Sequence, residues 1–120
     1  MFRIDYDPGR NVLHLSVSGF WKLEDVPALA AAVGAKTREI RTTRDDFDVL
    51  VESLDFPVQE NHVADLLPSI MRGGMAQTSG RAAVVVGSYL NRLQAERTLV
   101  HPRLRVFLTI AEAEDWLAEG

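Results

Sequence analysis

The amino-acid sequence predicts an α/β fold: a mixed sheet of four to five strands with about four helices. The sheet is antiparallel at an N-terminal hairpin and parallel in the βα units that follow. Three observations predict it. Two alternating segments flank a turn at the start of the chain. Two short continuous apolar runs, Val49-Leu50-Val51 and Val84-Val85-Val86, read as central strands covered on both faces. Stripes of apolar residues at helical spacing lie between and after them.

Each element follows in order. Phe2, Ile4 and Tyr6 alternate with Arg3 and Asp5, the period of a half-buried strand. Asp7-Pro8-Gly9-Arg10-Asn11 is a turn, since Pro presets φ and Gly and Asn accept positive φ. Val12, Leu13, Leu15 and Val17, with His14, Ser16 and Ser18 interleaved, complete a hairpin. Gly19-Phe20-Trp21-Lys22 leads into a helix whose first turn holds Glu24 and Asp25, where the helix dipole favours acids. Pro27 is tolerated near that start. Val26, Leu29, Ala30, Val33 and Ile40 mark its buried face, and Gly34 weakens its middle.

The third strand spans Phe47 to Leu54, and a loop with Phe56-Pro57 follows it. Val63, Leu66, Leu67, Ile70 and Met71 form the stripe of the next helix. Pro68 should kink that helix or start a new turn, and Gly73-Gly74 should end it. Ala82 to Gly87 is the next strand, and Ser88 the N-cap of a helix with Leu90, Leu93 and Val100 inward. Pro102 follows that helix. Leu104, Val106 and Leu108 form the last strand, and Ala111 to Ala118 a closing helix docked through Trp116 and Leu117.

Composition narrows the function. A chain of 120 residues, 47% of them hydrophobic, can build its core without staples, and with no linker or repeat it reads as one domain over 1–120. The absence of cysteine excludes disulfides, thiolate catalysis and thiolate metal sites, and fits a cytoplasmic setting. The N-terminus has no apolar signal region, and no stretch reaches the roughly 20 apolar residues of a membrane span. The net charge is −4. The densest basic group, Arg38, Arg41 and Arg44, is followed at once by Asp45 and Asp46, so a nucleic-acid partner is not expected.

The order of elements and several local sequences together resemble the SpoIIAA-like branch of the STAS superfamily. The resemblance rests on Gly19-Phe20-Trp21 with Glu24-Asp25, on Arg81-Ala82-Ala83-Val84-Val85-Val86-Gly87, and on Arg92-Leu93-Gln94-Ala95-Glu96-Arg97. It continues through Arg105-Val106-Phe107 and Glu112-Ala113-Glu114-Asp115-Trp116-Leu117, and so covers nearly the whole chain. It implies a non-catalytic regulatory or protein-interaction module, with a protein partner or a second copy of the chain as its target. Anti-sigma-factor antagonists of that superfamily carry a phosphoacceptor hydroxyl in the loop after the central strand. Here the loop reads Asp55-Phe56-Pro57-Val58-Gln59-Glu60-Asn61-His62, with no Ser or Thr, which argues against a phosphorylation switch there. The CRAL-TRIO lipid-binding fold resembles the same topology, so a binder of a small apolar or amphipathic ligand is the alternative. The stripe Val63, Leu66, Leu67, Ile70 and Met71 would line its pocket, the Pro68 kink would open it, and Met71 and Met75 would adapt to varied ligands.

A ligand in an open α/β sheet sits beyond the carboxyl ends of parallel strands, here Ser53 to Asn61, Gly87 to Arg92 and the residues after Leu108. The candidate ligand or partner rim is Ser53, Asp55, Glu60, His62, Ser88 and Arg92. Ser88 would offer a helix N-terminus to an anion, with Arg92 one turn on, or would simply cap its own helix. Glu60 or Asp55 beside His62 would allow acid–base work in a small hydrolase or isomerase, or would be solvated loop charge. Phe20, Trp21, Leu66, Ile70 and Met71 form a candidate apolar surface, the two aromatics serving otherwise as core. His14, His62 and His101 are far apart, and no nucleophile elbow or phosphate-binding glycine loop occurs. No catalytic residues, metal or cofactor are expected.

Overall fold

The computed structural model describes residues 1–119. In chain order the elements are β1 (Phe2–Asp7), β2 (Val12–Ser18), α1 (Asp25–Arg41), β3 (Asp48–Asp55) and α2 (Asn61–Ala64). They continue with α3 (Leu67–Met75), β4 (Ala82–Val86), α4 (Tyr89–Thr98), β5 (Leu104–Phe107) and α5 (Ile110–Ala118). The five strands form one sheet in the order β1-β2-β3-β4-β5. β1 and β2 pair antiparallel, with Phe2 opposite Val17 and Asp7 opposite Val12. The remaining neighbours are parallel, with Leu15 beside Val51, Val51 beside Val84, and Val84 beside Val106. The expected mixed α/β sheet is therefore the one found.

The hairpin turn is set by Asn11, which sits at φ +58°, while Gly9 is not at positive φ. Gly9 and Arg10 instead donate their amides to the Asp7 carboxylate, an Asx-type turn. β4 is buried at all five positions, as its unbroken apolar run requires.

The two faces of the sheet are covered unequally. One face packs Leu15, Val17 and Val84 beneath α1, α2, α3 and α4. The other packs Leu50, Ala83 and Val85 against Ala113 and Leu117 of α5. Trp116 closes the edge of that second core, its ring 5.7 Å from Phe107 and beneath the guanidinium groups of Arg81 and Arg105, at 4.8 and 5.3 Å.

Four expectations need correction. The single helix expected over the Val63–Met71 stripe is two helices; Pro68 starts the second, one of the two outcomes expected of it, and its missing N–H costs nothing there. Gly73 and Gly74 do not end α3, which runs on to the buried Met75. On α1, Thr37 is buried and Ala30 is exposed. The stripe passes from Leu29 through Val33 to Thr37 and Ile40, and Ala30 falls off it.

The largest correction concerns α4. Leu90, Leu93 and Val100 were expected inward but are 67%, 51% and 72% exposed. Its inner face is instead Asn91, Gln94 and Ala95, with Leu99 just past its end and the exposed Thr98 at the border.

Candidate functional site

A cavity of about 190 Å³ lies between the first face of the sheet and the helices above it. Its floor is laid by alternate residues of the parallel strands: Leu15 and Val17 of β2, Val51 and Ser53 of β3, Val84 and Val86 of β4. Strand periodicity puts these side chains on one face. Its walls are Leu29 and Val33 of α1, Leu67, Ile70 and Met71 of α3, and the inner stripe of α4.

The space remains because the helices do not close over the floor. The principal contacts of α3 are with α1 and α2, and those of α4 are with β4 and β5. The residues facing the centre from above include Ala64, Gly74 and Ala95, too short to fill the gap. A native core rarely leaves a void larger than a water molecule. A dry apolar void of about 150 Å³ already takes benzene.

No Asp, Glu, Lys, Arg or His lines the cavity among the described residues. Most of its polar atoms are already paired. The Ser53 hydroxyl donates to the Val85 carbonyl at 2.6 Å and the Thr37 hydroxyl to Gly34 at 3.1 Å. Gln59 is a structural tie: its Nε2 donates to the carbonyls of Gly19 (3.0 Å) and Pro57 (2.8 Å), and its Oε1 accepts from the Trp21 amide (2.8 Å).

The expected site residues scatter. Ser53 is not on an open rim but buried in the sheet, its hydroxyl engaged. Trp21 is core rather than surface: it is 5% exposed, donates from Nε1 to the Ser18 carbonyl at 2.9 Å, and meets Phe56 edge-on at 5.5 Å. Phe20, beside it, is 78% exposed. Asp55 is exposed. Glu60 and His62 do approach, with Nε2 and Oε2 at 3.1 Å, but both are exposed and neither lines the cavity. Ser88 caps α4, accepting from the Asn91 amide at 3.1 Å, and Arg92 pairs with Glu96 at 3.5 Å. Leu66 is largely exposed, whereas Ile70 and Met71 line the cavity.

The sequence reading missed Asn91 and Gln94. Their spacing with Ala95, Thr98 and Leu99 is a helical stripe, but a polar one, so hydrophobic periodicity passes over it. Among the described residues no group of three His, Cys, Asp or Glu side chains is placed to hold a metal ion, and no helix is long and apolar enough to cross a membrane.

No family model and no curated protein matches this chain. Solved structures do. One is an uncharacterised protein of the DUF3478 family with a SpoIIAA-like fold from Shewanella loihica PV-4, at 14% identity and TM-score 0.72 over 97% of this chain and 93% of that one. A second is the anti-sigma factor antagonist SpoIIAA in its unphosphorylated form, at 15% identity and TM-score 0.67 over 100% and 98%. A third is an anti-sigma factor antagonist from Mycobacterium paratuberculosis, at 16% identity and TM-score 0.68 over 98% and 95%. The fold is SpoIIAA-like, as the resemblance implied.

Proposed function

We propose that this protein is a non-catalytic binding module on a SpoIIAA-like scaffold, and that its ligand is a small apolar molecule held beneath α3 and α4. The observation that carries this reading is the uncharged cavity of about 190 Å³. The exposed Glu60–His62 pair offers no water-excluded place for acid–base chemistry. The loop 55–62 holds no hydroxyl, and Ser53 is buried, so nothing there supports a phosphorylation switch.

A second reading, a regulatory module that docks on a protein, draws on two observations. Two of the similar structures are anti-sigma factor antagonists. The outer face of α4 also presents Tyr89, Leu90 and Leu93, each more than half exposed. The occupant most directly testable is a second copy of this chain.

Methyl NMR separates the two. Under xenon, which enters dry apolar cavities, the methyls of Ile70, Val33 and Val84 should shift. Ile70→Trp, which fills the space, should abolish those shifts. Methyl positions that ignore xenon sink the ligand reading. Shifts of Leu90 and Leu93 that grow with protein concentration support self-docking; their constancy from micromolar to millimolar protein counts against it.

A further inference from the structure

The inward face of α4 is the wrong one for an ordinary helix. Leu90 and Leu93, with Tyr89, face solvent, while the half-buried Asn91 and Gln94 turn toward an apolar space that the exposed Thr98 borders. A polar side chain facing such a space is disfavoured unless something there bonds to it. Thr98 has its own answer, since its hydroxyl donates to the Gln94 carbonyl at 2.8 Å. Asn91 has half of one. Its Nδ2 donates to the Phe56 carbonyl at 3.1 Å, which fixes the amide so that Oδ1 remains free to accept. The Gln94 side chain makes no hydrogen bond among the described residues, and its amide both donates and accepts. One turn apart, the two residues are neighbours on the helix face.

We infer that the cavity's ligand is an uncharged apolar molecule carrying one hydroxyl-type group, which Asn91 Oδ1 and the Gln94 amide hold. This deepens the ligand reading above and rests on it. The hydroxyl proton goes to Asn91 Oδ1, and the hydroxyl oxygen accepts from Gln94 Nε2. The size follows from the volume: if about 150 Å³ takes benzene, this cavity takes about eight heavy atoms. The charge follows from the lining. A carboxylate or ammonium would enter with no opposite charge to meet it. Arg92, the nearest cation along α4, is engaged with Glu96.

Four probes that share one ring test it: toluene, benzyl alcohol, benzoate and benzylammonium. Each is titrated into the parent chain and followed by NMR at the cavity methyls. Benzyl alcohol should bind roughly tenfold more tightly than toluene. Both ions should bind at least about a hundredfold more weakly than the alcohol. In Gln94→Leu the alcohol should lose its advantage while toluene still binds, and Asn91→Leu should act in the same direction. Equal binding of toluene and benzyl alcohol by the parent overturns this inference and leaves the cavity reading standing. So does benzoate binding as well as the alcohol, or an alcohol preference that survives both substitutions. Exclusion of all four probes overturns both.

Discussion

Asn11 shows how much one residue can organise. It occupies the left-handed region, at φ +58°, which a non-glycine residue adopts at a cost of about 1–2 kcal/mol. Its side chain stabilises that geometry from two sides. Oδ1 accepts from the Tyr6 hydroxyl at 2.6 Å, and Nδ2 donates to Asp46 at 2.9 Å. The Asp46 carboxyl is held below its ordinary value, first by that amide and then by Arg44. Because the folded value is the lower one, the interaction supports the fold fully above the ordinary carboxylate value of about 3.9. That support is lost as pH falls through the lowered value. Asn11→Ala should therefore move the Asp46 titration upward by carbon-detected NMR and destabilise the chain by about 1–2 kcal/mol. An unmoved Asp46 midpoint would contradict the assignment. The turn was legible because Asn tolerates positive φ; that Asn rather than Gly9 would take it was not, since the deciding partners Tyr6 and Asp46 come from β1 and from the segment before β3.

Among the elements, α3 and α4 mark where local pattern stops being informative. Gly73-Gly74 reads as a terminator on propensity alone, yet the helix continues through it. Tertiary contacts override the roughly 1 kcal/mol that each glycine costs. Met75 is buried at the end of α3, and Arg103 gathers that end of the chain. Its guanidinium donates to the carbonyls of Met75 and Thr78, both at 3.0 Å, and to that of Gly80. Cations suit a helix C-terminus, and a planar fork can reach several carbonyls at once. Arg103→Met should cost about 2 kcal/mol in urea unfolding, and Arg103→Lys should recover little of it. A loss below about 0.5 kcal/mol would mean the cluster is incidental. For α4 the failure is rotational. Its sequence carries a leucine stripe and an amide stripe, and periodicity chooses the leucines. Only the placement of Ala95 and Leu99 over β4 and β5 shows that the amides face in.

At the scale of the whole molecule, the fold was legible because neighbouring strands in the sheet are neighbours in the chain. The hairpin, the buried runs and the intervening helices then specify the sheet almost without long-range information. The cavity was legible only on its α3 side, because its other walls depend on what the helices fail to touch. The stripe of Val63, Leu66, Leu67, Ile70 and Met71 pointed to a pocket, and Leu67, Ile70 and Met71 do line one, while Val63 and Leu66 do not. Close approach at the strand ends was hidden in the same way. A β-carbon at Gly87 would collide with the Leu54 carbonyl oxygen, so Gly87 is where β3 and β4 leave room for one another only as glycine.

The serial strand order has a consequence for synthesis. As the chain leaves the ribosome, each new strand finds its partner already outside, so the sheet can grow by one edge without waiting for a distant segment. The exception is the face of Leu50, Ala83 and Val85, which stays bare until α5 emerges. A force-sensing arrest peptide placed at successive lengths should register a graded series of pulls, with a distinct last one as Ala113 and Leu117 clear the tunnel. A lone late pull would show instead that the nascent chain stays unstructured until all five strands are free.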